Sequence, residues 1–244
     1  MSVSGKLFMK IEMDRRTLKR VVDLVLCIVD EVRIEVNGDG VKMKYVDPAH
    51  VAMGVLTLKA SSRGEEIEGT TGIDMNFLAD VLRVMDDGDS VTLSPDDLTW
   101  TAEVDSGGLP LIMTLKTWDH DISKPSIIHL DSLECVFSVK IPHLIRAVRS
   151  AAEVSDHVII EAGEGGVWLR AEGDVRRSEV LLARGTFPQA RSAFPLDYFS
   201  SIVSSLESFD TVGARLGTDY LVSLGAEDEE LKISFLLAPR IETD

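Results

Sequence analysis

The chain has 244 residues, 45% of them hydrophobic, and a formal net charge of −16. That length and apolar content provide for one large core or two smaller ones and exclude a disordered or fibrous chain. No apolar run approaches the roughly 20 residues of a membrane-spanning helix, and the opening MSVSGKLFMK lacks the apolar stretch of a secretory signal, so a soluble cytosolic protein is expected. The excess acid repels polyanions on average, so contact with nucleic acid requires a local patch that opposes the global field.

The first predicted element is a helix over 14–26, where Leu18, Val21, Val22 and Val25 recur at the spacing of one buried stripe. Its start, DRRTLKR, holds four basic side chains in seven residues. Arg16, Lys19 and Arg20 fall opposite Leu18 and Val22, with Arg15 on the flank and Asp23 among them. Alternating strands follow: VRIEV and VKMKYV around the turn NGDG, then VAMGVLTL. A second helix turns Leu78, Val81, Leu82 and Met85 inward and offers Arg83 beside Asn76 and Asp80. SVTL, LTWTAEV and LPLIMTL read as strands set off by the turns DDGD and SGG. The stretch TWDHDISKPSIIHLDS is a polar, proline-containing connector with a local apolar patch at Ile127 and Ile128. Beyond it, a third helix buries Leu144, Ala147, Val148 and Ala151 and presents Arg146 and Arg149. A fourth buries Phe199, Ile202, Val203 and Leu206 and presents Ser201, Ser204 and Ser208. The pattern is α+β with antiparallel hairpins.

The two halves repeat each other. VRIEVNGDGVKMKYV from Val32 lies on VIIEAGEGGVWLRAE from Val158 without a gap, placing Ile34 on Ile160, Glu35 on Glu161, Gly40 on Gly166 and Val41 on Val167. At the same offset Leu18 falls on Leu144 and Val22 on Val148, which marks a tandem duplication. Domains are expected over 1–117 and 133–244, joined by a connector at 118–132. A charged face on one helix is an ordinary solvated surface. Two matched basic faces in a duplicated unit, with acid gathered in loops such as GEEIEG, MDDGDS and AEDEE, point instead to phosphate contact without base reading.

Catalytic and metal signatures are lacking. There is no GxxxxGK[ST] loop, and the glycines of NGDG and GEGG belong to hairpin turns. His50, His120, His129, His143 and His157 show no HExxH spacing. Cys27 and Cys135 stand far apart, compatible with two buried thiols or one long-range disulfide. Asp119-His120-Asp121 reads as a solvated charged turn rather than a metal site. There is no GxSxG, and the carboxylates of DDGD and EDEE lack the apolar neighbours that would tune them. No enzyme activity, metal or cofactor is expected.

Three motifs carry a resemblance: VDPAHVAMGVLTL at 46–58, VKIP at 139–142 and the closing LAPRIETD. Together they resemble the proliferating cell nuclear antigen family of DNA sliding clamps over the whole chain, with the archaeal-like absence of long insertions. The resemblance implies a homotrimeric ring, sheets outside and four helices per chain lining a hole that holds duplex DNA. Arg15, Arg16, Lys19, Arg20, Arg83, Arg146 and Arg149 would face the DNA. The implied function is a processivity factor for replication and repair, placed by an ATP-driven clamp loader. It would tether a replicative DNA polymerase, flap endonuclease and DNA ligase through short peptides with a glutamine, an aliphatic residue and two aromatics. Their implied pocket is Val46, His50, Val51, Ile127, Ile128, Leu130, Leu236, Ala238 and Pro239; an alternative for His50 is a satisfied core position. Subunits would join edge strands near 108–115 and 175–182 through Leu111, Met113, Arg176, Arg177 and Val180, with Asp105 a partner for the arginines. An archaeal source implies a cytoplasmic, nucleoid-associated protein and a eukaryotic source a nuclear one; no membrane contact is implied. The rival reading is an acidic protein-interaction scaffold or specialised ring subunit that does not itself form a homotrimeric clamp.

Overall fold

Asp14 closes a short strand and caps the helix that follows, its carboxylate accepting the Thr17 amide at 2.7 Å. The bond holds the Asp14 carboxyl below its ordinary range and satisfies one of the amides a helix start leaves unpaired. In the computed structural model, which describes residues 10–37, 40–59, 69–96, 99–116 and 133–240, this strand-into-helix step occurs four times. The first half runs β1 (Ile11–Asp14), α1 (Arg15–Leu26), β2 (Glu31–Asn37), β3 (Gly40–Val46), β4 (Ala52–Leu58), β5 (Gly69–Asp74), α2 (Met75–Val84), β6 (Ser90–Pro95), β7 (Thr99–Ser106) and β8 (Leu109–Lys116). The second runs β9 (Cys135–Lys140), α3 (Ile141–Ala152), β10 (His157–Gly163), β11 (Gly166–Glu172), β12 (Arg177–Ala183), β13 (Ala190–Pro195), α4 (Leu196–Ser205), β14 (Thr211–Leu216), β15 (Val222–Glu227) and β16 (Leu231–Leu237). Element for element, the halves have the same order.

Packing divides the described residues into two units. Those within Met1–Tyr45, Val55–Lys124 and Glu229–Leu231 form one, and those within Val46–Gly54, Pro125–Asp228 and Lys232–Asp244 the other. In the first, β1, β6, β7 and β8 pair in that order, all antiparallel, and β5, β2 and β3 form a second antiparallel set. Helices α1 and α2 lie side by side. Leu18, Val21, Val22 and Val25 are buried as the periodicity predicts, and α1 also buries Thr17, Arg20 and Leu24. Trp100, fully buried, donates its indole N–H to the Gly72 carbonyl at 2.9 Å, and Tyr45 donates its hydroxyl to the Leu24 carbonyl at 2.6 Å. Each core aromatic thus spends its polar atom.

The second unit repeats the pattern: β12, β11, β10 and β13 form one sheet, and β9, β14, β15 and β16 another. Leu144, Ala147, Val148 and Ala151 of α3 are buried, as are Phe199, Ile202 and Val203 of α4 with Leu206 just beyond it. Helix α3 lacks a side-chain cap because Lys140 stands where Asp14 stands in the first half; Pro142 in the first turn compensates by presetting the backbone. Two expectations need correction. Cys27 is half-buried rather than buried, and neither it nor Cys135 is in a disulfide. Leu82 is likewise only half-buried, since the core contacts of α2 end with Val81.

The β10–β11 turn depends on glycine. Gly166 has φ +119°, and a Cβ there would stand 2.4 Å from the Ala183 carbonyl oxygen. Gly166→Ala should therefore destabilise by about 2 kcal/mol or more, whereas Gly163→Ala, with open space around it, should change stability by less than about 0.5 kcal/mol; urea unfolding of both variants checks this.

Candidate functional site

On α1, Arg16 and Lys19 are exposed, and Lys19 pairs with Asp23 one turn on. Arg15 is drawn sideways: its Nε donates to the Met85 carbonyl at 2.9 Å and its Nη1 meets Asp87 at 3.1 Å. Arg20 overturns the expectation of a solvent-facing position. Only 7% exposed, it directs Nη1 to Glu230 Oε2 at 3.6 Å, an oxygen that also accepts from the Thr17 hydroxyl at 3.1 Å. The buried arc of α1 is wide enough to include position 20, and a carboxylate at its rim makes burial of the charge tolerable.

The other helices differ sharply in charge. On α2, Arg83 pairs with Asp80, with Asn76 exposed nearby. Helix α3 contains no acidic residue, and its exposed Arg146 and Arg149 have no ion pair among the described residues. Lys140, exposed at the head of α3, adds a cation that a helical wheel starting at the first turn leaves out. Helix α4 exposes Asp197, Ser201 and Ser204, with Ser208 just past its end, and no base. Exposed pairs such as Lys19–Asp23 are worth about 0–1 kcal/mol, so those cations can exchange partners; Arg20 is held far more firmly.

A second surface lies in the unit containing Val46–Gly54 and the chain's end. Asp47, 2% exposed, accepts the amides of Ala49 at 3.0 Å, Val51 at 2.7 Å and Ala52 at 2.6 Å, and the Tyr198 hydroxyl at 2.9 Å. Burial alone would raise this carboxyl, but the donors outweigh it and hold it below its ordinary range; the same bond raises the Tyr198 phenol. Within the loop so formed, His50 takes φ 58°, a left-handed conformation uncommon for a side-chain-bearing residue. His50 is exposed, so the core-histidine alternative falls. The Ala238 amide donates to the Val51 carbonyl at 2.8 Å, and the Arg240 amide to Ala193 at 2.7 Å, stitching the 238–240 segment to the loop and to β13. The Arg240 guanidinium adds a 3.0 Å bridge to Asp156, whose carboxyl is lowered first by His157 and then by Arg240.

Val46, Val51, Ala238 and Pro239 are half-buried around this loop. Leu236 is not a surface wall: it packs beneath, with Leu133, Leu221 and half-buried Met53. Ile127, Ile128 and Leu130, like Asp119-His120-Asp121 and His129, lie outside the described residues. Sequence reasoning missed Asp47, Tyr198 and Met53. Only Asp47 had a local signal, an acid opening a Pro-Ala-His turn.

The expected joining strands are both sheet edges: β8 ends the β1-β6-β7-β8 sheet and β12 ends the other. Leu111 is exposed and Met113 half-buried, with Leu109 and Ile112 also exposed at 78% and 62%. Arg176 precedes β12, while Arg177, already paired with Glu179 at 2.7 Å and Glu172 at 3.6 Å, begins it; Val180 is half-buried. Among the described residues no three His, Cys, Asp or Glu side chains gather as metal ligands, and no helix is long and apolar enough to cross a membrane.

Residues 9–104 match the model of the proliferating cell nuclear antigen N-terminal domain. The DNA polymerase sliding clamp of Methanosarcina barkeri is 31% identical, over 96% of this chain and 99% of the relative; that of Halobacterium salinarum is 28% identical, over 93% and 96%. Among solved structures, A. fulgidus PCNA with the C-terminal region of FEN-1 bound superposes with a TM-score of 0.84 at 25% identity, covering 97% of this chain and all of that one. PCNA from Thermococcus kodakaraensis gives 0.85 at 24% identity, over 95% of this chain and all of that one.

The two neighbouring arginines of α1 should behave oppositely. Arg20→Ala should lower stability by about 1–3 kcal/mol, while Arg16→Ala should leave it within about 0.5 kcal/mol; chemical denaturation at fixed salt distinguishes the two.

Proposed function

The chain belongs to the proliferating cell nuclear antigen family, and we propose that it acts as a DNA polymerase sliding clamp in which three copies close around duplex DNA. It tethers replication and repair proteins to their template, is itself non-catalytic, and works in the cytoplasm at the nucleoid. Full-length similarity to archaeal sliding clamps carries this reading, and the duplicated helices with exposed cations on α1 and α3 give it a physical basis.

The DNA-facing cations are Arg16, Arg146 and Arg149, supported by Lys140 and by Lys19 and Arg83 when these release their acids. Arg15 sits at the margin, and Arg20 serves the fold. Such a lining touches phosphates without reading bases, so it permits translocation along any sequence. Partner proteins dock on the loop of Val46, His50 and Val51 together with Ala238 and Pro239 over the Leu236 layer. A flap endonuclease is one such partner, since the C-terminal region of FEN-1 binds the similar A. fulgidus protein. DNA ligase, the replicative polymerase and the clamp loader use the same kind of peptide. Subunits join β8 to β12 of the next copy, covering Leu111 and Met113 against Val180; Arg176 and Arg177 lie where Asp105 of a neighbour can meet them. An exposed apolar edge strand is an aggregation hazard that such pairing removes.

Two measurements on one preparation test the reading. Light scattering should give about three times the 26.8 kDa chain mass, and the loaded protein should lengthen primer-extension products of a cognate polymerase. Arg146→Ala with Arg149→Ala should keep the trimer but reduce the gain and flatten its salt dependence, because fewer phosphates are neutralised. A monomer that gives the polymerase no gain in length would refute the function.

A further inference from the structure

The Asp47–Tyr198 bond has no counterpart in the other repeat. Tyr198 is the third residue of α4, and the third residue of α2 is Phe77, buried and without a hydroxyl. Asp47 directly follows β3, and the residue that directly follows β11 is Gly173. There the chain turns by a different bond, the Gly173 amide donating to Arg176 at 2.9 Å, and a Cβ would stand 2.5 Å from the Val154 carbonyl oxygen. Helix and turn therefore form in this fold without either partner. Both members of the pair occur together at the loop that carries His50 and Val51.

The geometry shows what the pair does locally. One Asp47 oxygen accepts from Val51 and Ala52, while the other accepts from Ala49 and Tyr198. Three amides of a six-residue loop thus converge on one carboxylate, and the Tyr198 phenol is the side chain that fixes that carboxylate to a helix. Val51 in turn offers its carbonyl to Ala238. A shift of Asp47 would be felt at His50, Val51 and the chain's end alike. The left-handed His50 backbone stores strain that persists only where its surroundings over-determine it.

We propose that Tyr198 is a positioning residue for partner docking, its hydroxyl holding Asp47 so that the 47–52 loop and the Ala238–Pro239 segment stand preformed for an incoming peptide. This rests on the assignment of that surface as the partner pocket. A preformed loop spares the complex the ordering cost a slack one would impose, so the effect appears mainly as slower dissociation. Tyr198 touches no partner itself.

The test uses the full-length trimer, Tyr198→Phe, and a synthetic peptide with a glutamine, an aliphatic residue and two aromatics. Removing one hydroxyl should weaken peptide binding by about 3- to 10-fold, chiefly through faster dissociation, with the trimer mass unchanged. In the free protein, hydrogen exchange should accelerate at the Val51 and Ala52 amides and stay unchanged in β14 and β15, which a general loss of stability would not produce. Unchanged exchange at Val51 and Ala52 overturns the inference, as does faster exchange with an unaltered Kd. If the wild-type trimer itself binds no peptide, the pocket assignment fails and takes the inference with it. That result differs visibly from a wild type that binds and a Tyr198→Phe that binds equally well.

Discussion

Burial of one apolar stripe per helix is the constraint on which the rest of this structure depends. Each of the four helices follows directly from a strand, and each turns its valines, leucines or phenylalanines inward. At about 25 cal/mol per Å² of apolar surface, a handful of such side chains outweighs any single ion pair on the outside. Packing therefore fixes the orientation of the helix, and whatever lies opposite is presented without further choice. The duplicated order of elements applies that rule twice, so each half presents the outer faces of two helices from one structural solution, whatever charge those faces carry.

Charge is distributed on top of that scaffold with a clear division of labour. A chain of net charge −16 approaches DNA unfavourably unless its cations are gathered and its acids kept elsewhere. Of the four basic residues in DRRTLKR, two are used by the fold: the buried Arg20 meets the exposed Glu230, and Arg15 ties to Met85 and Asp87. Lys19 is moderated by Asp23, whereas Arg16 makes no ion pair among the described residues. Helix α3, with Arg146, Arg149 and no acid, is the more strongly positive surface although its sequence is less conspicuous. In the proposed clamp, so sparse a set of cations would bind phosphate weakly per copy. A protein held by topology needs no strong contact, and weak phosphate contacts are what allow it to slide.

Much of this was legible in the sequence, and the failures share one physical cause. Periodicity identified all four stripes because the helix period is local, and the duplication appeared because α1 to β3 and α3 to β11 kept the same spacing. Arg20 was misplaced because a helical wheel gives an angle and not a neighbour, and its neighbour Glu230 arrives from the far end of the chain. Leu236 was assigned to the surface on its motif, whereas Leu133, Leu221 and Met53 gather over it from three distant segments. Asp47 and Tyr198 are likewise far apart in sequence and close only in the fold. In each case the missing information was tertiary.

A sliding clamp stays on DNA by encircling it rather than by gripping it. The most direct measurement is retention of the loaded protein on a nicked circular duplex and on the same duplex made linear by one cut, at a salt concentration that suppresses phosphate contacts. Topological linkage predicts long retention on the circle and rapid loss from the free ends of the linear form. Equal loss from both forms would contradict it and show that the contact is only electrostatic.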